Sequence, residues 1–110
     1  MAFGYKILGQ AAPADTSNAD LYTVPASTES IISSLAVANV TATDATYRIY
    51  VRAGGAAAAD SNALVKDGTA TANTTTTIGI GISLAATDVV TIQSGTADAL
   101  TFHAFGTEVA

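Results

Sequence analysis

The segment Thr46-Tyr-Arg-Ile-Tyr-Val-Arg52 decides the fold class, because its side chains alternate between two faces. One face holds the apolar residues at positions 47, 49 and 51, and the other holds Arg48, Tyr50 and Arg52. This period of two is typical of a β-strand that packs one face against a hydrophobic core. The segment is therefore predicted to be a strand of a half-buried sheet.

A second segment, Ile78-Gly-Ile-Gly-Ile-Ser-Leu84, repeats the alternation and is predicted to be one continuous strand. Its isoleucines and Leu84 would point inward, and Gly79, Gly81 and Ser83 would point outward. An outer face with almost no side chains lets another backbone or another subunit approach closely. A twist or bulge that requires glycine explains the same pattern equally well.

The rest of the chain contains further strand signals and little sign of helix. Six more segments have strand character: Tyr5–Leu8, Leu21–Val24, Ser30–Asn39, Ser61–Lys66, Asp88–Gln93 and Ala99–Phe105. Ser30–Asn39 carries apolar residues on both faces, as a central sandwich strand or a subunit-contacting strand would. The Ala-rich run 53–60 begins with two glycines after Ala53 and is predicted to be a loop. The sequence therefore predicts an all-β chain, an antiparallel jelly-roll-like β-sandwich of about eight short strands in a single domain.

Charged residues are scarce in this chain. They make up 12% of its 110 residues, against about 25% in an average soluble domain. Either much of the surface is covered by neighbouring molecules, or it is a neutral surface of Thr, Ser, Asn and Ala; the simpler alternative is a weakly charged secreted monomer. The net charge of −5 provides no basic field for phosphate backbones, so direct nucleic-acid binding is not expected.

The sequence also bears on compartment and processing. Without cysteine, disulfides and thiolate metal sites are excluded. Residues 1–10 do not form a signal peptide, and no apolar run approaches the about 18 residues of a membrane span. Synthesis in a cytosol and no membrane association are expected.

No set of residues predicts catalysis, a cofactor or a metal. His103 is the only histidine and is interpreted as an ordinary strand residue, since a zinc site usually requires several such ligands. A Gly-x-Ser-x-Gly elbow is absent from the sequence. Five aspartates near predicted turns are interpreted as turn-capping residues: Asp44, Asp60, Asp67, Asp88 and Asp98. The chain is not expected to be an enzyme.

Candidate interface residues come from three places. Arg48, Tyr50 and Arg52 form an outward row of residue types that are common in contact energetics, although a solvated strand face explains the row as well. Gly79 and Gly81 form the bare face described above. Residues 1–10, with Tyr5 and Ile7, are predicted to be an extended N-terminal arm that adds to the sheet of another subunit.

Motifs along nearly the whole chain resemble those of small virion structural proteins of tailed phages, of the cyanophage and marine-phage type. The motifs are strand and turn signatures: Lys6–Pro13, Leu21–Pro25, Tyr47–Arg52, Leu84–Thr91, Ser94–Ala97 and Leu100–Glu108. The Ala-rich stretch 54–65 departs from the pattern, which puts any contact made there in doubt.

The resemblance implies a virion protein, and the leading expectation is a capsid decoration or cement protein. It would form a homo-oligomer, with a trimer as the expected state, bound to the major capsid protein or another virion protein at the capsid surface. One alternative is a tail, neck or baseplate and fibre-attachment module. Another is a glycan-binding sandwich on the virion surface, with Tyr22 and Tyr50 as the candidate sugar-stacking rings.

Overall fold

The computed structural model describes residues 3–109, which form nine strands and two single-turn 3₁₀ helices. The strands are β1 Phe3–Ala11, β2 Ala19–Thr23, β3 Glu29–Asn39, β4 Ala45–Arg52, β5 Ala63–Ala70, β6 Thr75–Ile78, β7 Ile82–Leu84, β8 Val89–Ser94 and β9 Leu100–Val109. The 3₁₀ helices are Ala53–Gly55 and Asp60–Asn62, both between β4 and β5.

The strands pair as a long hairpin rolled up on itself. The nested antiparallel pairs are β1 with β9, β2 with β8, β3 with both β6 and β7, and β4 with β5. Rolling adds the pairs β9–β3 and β8–β4 and so creates two sheets. Sheet I has the order β1-β9-β3-β6 with β7 also on β3, and sheet II has the order β2-β8-β4-β5. This arrangement is a jelly roll, which confirms the predicted fold class.

The core lies between the inner faces of the two sheets. Its fully buried large side chains are mainly aliphatic: Ile32, Leu35, Ile49, Ile92, Leu100 and Phe102. Tyr47 of sheet II meets Phe102 of sheet I edge to face, with ring centroids 6.4 Å apart. The inward direction of residues 47 and 49 agrees with the alternation in β4.

The prediction of one continuous strand over residues 78–84 is wrong. Ile78 lies opposite Leu35 and Ile82 opposite Ile32, so four steps along this segment match three steps along β3. The surplus residue cannot join the ladder, and residues 79–81 leave the sheet as a loop between β6 and β7. Ile80, predicted to point inward, is 45% exposed. This split also accounts for the ninth strand.

Two other segments differ from the sequence-based expectation. The predicted strand 61–66 begins with a 3₁₀ turn. β5 then continues to Ala70 through Asp67, which was predicted to lie near a turn and has φ 55°. From Phe3 onward, the segment predicted to be an N-terminal arm is β1, paired with β9 of the same chain. Met1 and Ala2 lie outside the described residues.

Two glycines allow backbones to approach closely. A Cβ on Gly106 in β9 would overlap the Ile31 carbonyl oxygen and lie 3.0 Å from the Ile32 Cα atom. A Cβ on Gly9 in β1 would overlap the Leu21 carbonyl oxygen of β2. Both positions therefore require glycine for steric reasons.

Candidate protein-binding surface

The outer face of sheet I carries a group of exposed apolar side chains. Tyr5 is 86% exposed, Ile7 54%, Ile31 52% and Phe105 37%. Ile7 lies opposite Phe105, while Tyr5 and Ile31 flank Thr107 from β1 and β3. The four side chains, here called the apolar patch, therefore come together from three adjacent strands.

The rest of this face is made of small uncharged residues. Strand alternation places threonine, serine and alanine around the apolar patch: Ala36, Ala38, Thr75, Thr77, Ser83, Thr101 and Thr107. Among the described residues on the face, the only Lys, Arg, Asp or Glu is Glu29, at the first residue of β3. The centre of the face thus has no charged group.

His103 extends the apolar patch along β9. Its Nδ1 atom lies 3.1 Å from the amide nitrogen of Gln10, and its ring stacks on Phe105 with centroids 6.2 Å apart and planes 5° apart. In residues 3–109, no three His, Cys, Asp or Glu side chains form a metal-binding group. His103 is a strand residue, as the sequence predicts.

A groove of about 260 Å³ opens beside the apolar patch. Its lining combines apolar, hydroxyl-bearing and acidic residues: Glu29, Ser30, Ile31, Ser83, Leu84, Thr107 and Val109. The groove gives the face relief as well as apolar character, which favours shape-specific contact with another protein surface.

The outer face of sheet II differs, because its cations are engaged within the chain. Arg48 forms a bidentate ion pair with Asp67, with distances of 2.7 Å from Nε to Oδ1 and 3.2 Å from Nη2 to Oδ2. Tyr50, the middle residue of the predicted Arg–Tyr–Arg row, is only 6% exposed. The row does face outward, but its aromatic member is covered.

Arg52 organises the loop that follows β4. Its guanidinium donates to the carbonyl oxygens of Gly55 and Ala56 at 3.0 and 2.6 Å. It also donates to the Asp20 carboxylate at 3.2 Å and to the Thr91 hydroxyl at 3.1 Å. These contacts assign Arg52 a role in loop structure; whether it also meets another molecule stays a prediction.

All four cations of the sequence pair with a carboxylate in the same chain. The pairs are Lys6–Glu108, Arg48–Asp67, Arg52–Asp20 and Lys66–Asp60. Of the nine carboxylates, five remain without a cation among the described residues, which equals the net charge of −5. Of the aspartates predicted to cap turns, Asp88 accepts from the Ala85 amide in its own turn and also from the Gly54 amide. Asp44 accepts from the Ala72 amide of the β5–β6 turn, whereas Asp60 and Asp67 pair with cations.

Three unpaired carboxylates lie at one end of the sandwich. Asp15, Asp44 and Asp98 occupy the β1–β2, β3–β4 and β8–β9 loops. These loops are adjacent, since the Asp98 amide donates to the Pro13 carbonyl and the Val40 amide to the Ala99 carbonyl. The negative charge is therefore concentrated away from the centre of the sheet I face.

A buried polar cluster connects the two sheets. The Tyr22 hydroxyl of sheet II donates to the Glu108 carboxylate of sheet I and lies 2.7 Å from the Ser30 hydroxyl. Burial and the neighbouring Glu108 raise the pKa of Tyr22 to about 12. The hydrogen bond from Lys6, followed by that from Tyr22, lowers the pKa of Glu108.

The burial of two tyrosines corrects the expectation that their rings stack on sugars. Tyr22 is 8% exposed and Tyr50 is 6% exposed, so neither ring has a free face on which a sugar can stack. The two residues predicted as sugar-stacking rings are therefore the wrong ones. Within residues 5–109, the exposed aromatic rings are Tyr5 and Phe105, both in the apolar patch.

Comparison with known proteins identifies a fold neighbour. No protein-family model and no curated protein matches the chain. A chain in the structure of infectious bursal disease virus, Gx strain, superposes with a TM-score of 0.51 at 17% identity. The match covers 97% of this chain and 31% of that chain, so the present chain spans about a third of its length. At this identity the likeness shows a shared fold, and the resemblance to tailed-phage proteins stays a prediction.

The structure has no helix, within residues 3–109, that is long and apolar enough to cross a membrane.

Proposed function

We propose that this chain is a structural protein of a virus particle that works by binding other protein surfaces. The observation that carries the proposal is the apolar patch at the uncharged centre of the outer face of sheet I. Monomeric proteins rarely leave large apolar patches in contact with water, and such patches mark protein interaction sites. The jelly roll is a common fold of viral capsid domains, and the fold neighbour from a virus structure supports the same direction.

The charges favour contact through shape and apolar area. Every cation is paired within the chain, so capture of phosphates or acidic ligands would require breaking an internal ion pair. Burial of apolar surface contributes about 25 cal/mol per Å² and does not require a charged partner. This balance suits a protein that binds a neutral protein surface, and it accords with a structural rather than an enzymatic role.

The finer proposal is a capsid decoration or cement protein on the outside of the particle. One sandwich, with extents of 45 × 27 × 22 Å, reaches only a short distance, so it would stabilise a shell by bridging neighbouring subunits of the major capsid protein. Several copies bound to one shell, or joined to each other, gain strength through effective concentration even where each contact is weak.

The test is the number of copies in purified particles of the virus that encodes the chain. Quantitative mass spectrometry against the major capsid protein should find hundreds of copies per particle. A few to a dozen copies would move the protein to the tail, neck or baseplate and refute the decoration role. Complete absence from purified particles would refute the virion role itself.

A further inference from the structure

We infer that the outer face of sheet I binds the same face of a second copy of this chain, forming a two-fold dimer. The inference deepens the proposed function, because it names the occupant of the apolar patch. It rests on the charge distribution, on the size of the face and on the position of the exposed apolar residues.

The face requires an uncharged partner. A charged side chain buried at the centre of this face, against Ile7 or Phe105, would find no opposite charge there among the described residues, since Glu29 lies at the first residue of β3. An unpaired buried charge is strongly unfavourable. The partner surface must therefore combine apolar groups with small hydroxyl-bearing or methyl-bearing residues. This chain itself presents such a surface, namely the same face.

The remaining charges direct a second copy to this face. Five carboxylates have no cation among the described residues, and three of them lie at one end of the sandwich. Two copies that approach end to end would bring negative charges together. Two copies that approach through sheet I keep the three carboxylates at that end at the periphery, where solvent screens them.

The size of the face suits a weak dimer. Four strands about 4.8 Å apart and about eight residues long at 3.4 Å each give a face of roughly 500 Å². Two such faces bury about 1,000 Å², which lies at the lower limit for a biological interface. Interfaces of this size belong to weak or transient complexes, so we expect monomer and dimer in reversible exchange over the concentration range tested. Sheet faces pack about 10 Å apart, and identical faces make an isologous contact, which produces dimers and not trimers.

Four lysine substitutions provide the test, two on the face and two elsewhere. Ile7→Lys and Ile31→Lys place a charge in the apolar patch. Val40→Lys and Ile80→Lys place the same charge in loops at side chains of similar exposure, 61% and 45% against 54% and 52%. Each change reduces the magnitude of the net charge of −5 by one, so the general electrostatic effect would strengthen association in all four variants.

Sedimentation velocity of the full chain from about 5 µM to 1 mM, with circular dichroism to verify folding, gives the readout. Dimerisation should weaken at least tenfold in Ile7→Lys and Ile31→Lys and change less than twofold in the two loop variants. If a lysine variant fails to fold, Ile31→Thr keeps the strand-favouring branch and should still weaken dimerisation. A wild-type chain that stays monomeric at 1 mM, that forms trimers, or that responds equally to face and loop variants would overturn the inference.

The measurement is made in solution without particles, so it fails separately from the proposed function. Dimers through this face combined with absence from virions would leave the inference standing and refute the virion role. If the chain is present in virions but Ile31→Lys dimerises like the wild type, the virion role would stand and the inference would be refuted.

Discussion

Removal of one hydroxyl group, in Tyr22→Phe, tests how the two sheets are held together. The Tyr22 hydroxyl contacts both Glu108 and Ser30, which lie on β9 and β3 of sheet I, while Tyr22 belongs to β2 of sheet II. Phenylalanine preserves the ring and its packing in the core. Any change in stability therefore reports the polar contacts alone.

The expected magnitude follows from the partners that remain. A hydrogen bond to a charged group contributes about 1.5–3 kcal/mol, and a buried hydroxyl left without a partner costs about 1–3 kcal/mol. Ser30 is 2% exposed and would lose the Tyr22 hydroxyl, whereas Glu108 would keep Lys6. We therefore expect the free energy of unfolding to fall by about 2–3 kcal/mol, and the melting temperature by about 10–20 °C.

The assay is urea and thermal unfolding followed by far-ultraviolet circular dichroism, since the chain has no tryptophan. Ser83→Ala is the control, because it also removes one hydroxyl but at an exposed position of β7, and it should change stability by less than about 0.5 kcal/mol. Equal effects of Tyr22→Phe and Ser83→Ala would refute the bridging role of the cluster.

The same variant should change the pH dependence of stability. The pKa of Glu108 in the folded chain lies below its unfolded value of about 4.3. The contribution of Glu108 to stability is therefore present above that pH and is lost as pH falls through the folded pKa. The folded pKa of Tyr22 is raised to about 12, so its contribution is present below about pH 10 and lost as pH rises through 12. In Tyr22→Phe, the free energy of unfolding should fall less at acid pH, because only the Lys6 contact then lowers the pKa of Glu108. The fall at alkaline pH that comes from Tyr22 should disappear.

Three further changes test other parts of the fold. Gly106→Ala should cost more than about 2 kcal/mol, since its Cβ meets the backbone of β3, whereas Gly79→Ala, whose Cβ has open space, should cost less than about 0.5 kcal/mol in the same melts. Thr87→Asn should stabilise by about 0.5–1 kcal/mol, because Thr87 is β-branched and has φ 71°. Arg52→Met should speed amide hydrogen exchange at Ala56, because the guanidinium holds two carbonyls of that loop. Equal costs for the two glycine variants, a destabilised Thr87 variant or unchanged exchange would each contradict the corresponding reasoning.

The fold could be predicted from local patterns, because each strand reports its own period. The alternation in residues 46–52 identified β4 and the direction of its side chains. The split of residues 78–84 could not be predicted in this way. It depends on the surplus residue relative to β3, which itself has a bulge between Ile32 and Ser34 where β9 pairs with it. The difference in residue number between two paired strands is a property of the pair, so the sequence of either strand alone does not show it.

The apolar patch was predicted only in part, for a similar reason. Tyr5 and Ile7 were among the candidates, whereas Ile31 and Phe105 were missed. The two-faced apolar character of residues 30–39 was the available signal, but it does not tell which face another molecule covers. Phe105 joins Ile7 only through the pairing of β1 with β9, close to a hundred residues apart in the chain.

The distribution of charge bears on the two interpretations of the low charge content. A weakly charged secreted monomer has no reason to keep ions off one face in particular. Here Arg48 and Arg52 form their ion pairs on the outside of sheet II, and unpaired carboxylates gather at one end of the sandwich. The centre of the sheet I face carries isoleucine and aromatic rings in their place. The centre of one face thus lacks charge and exposes apolar side chains. This combination favours a face that another protein covers.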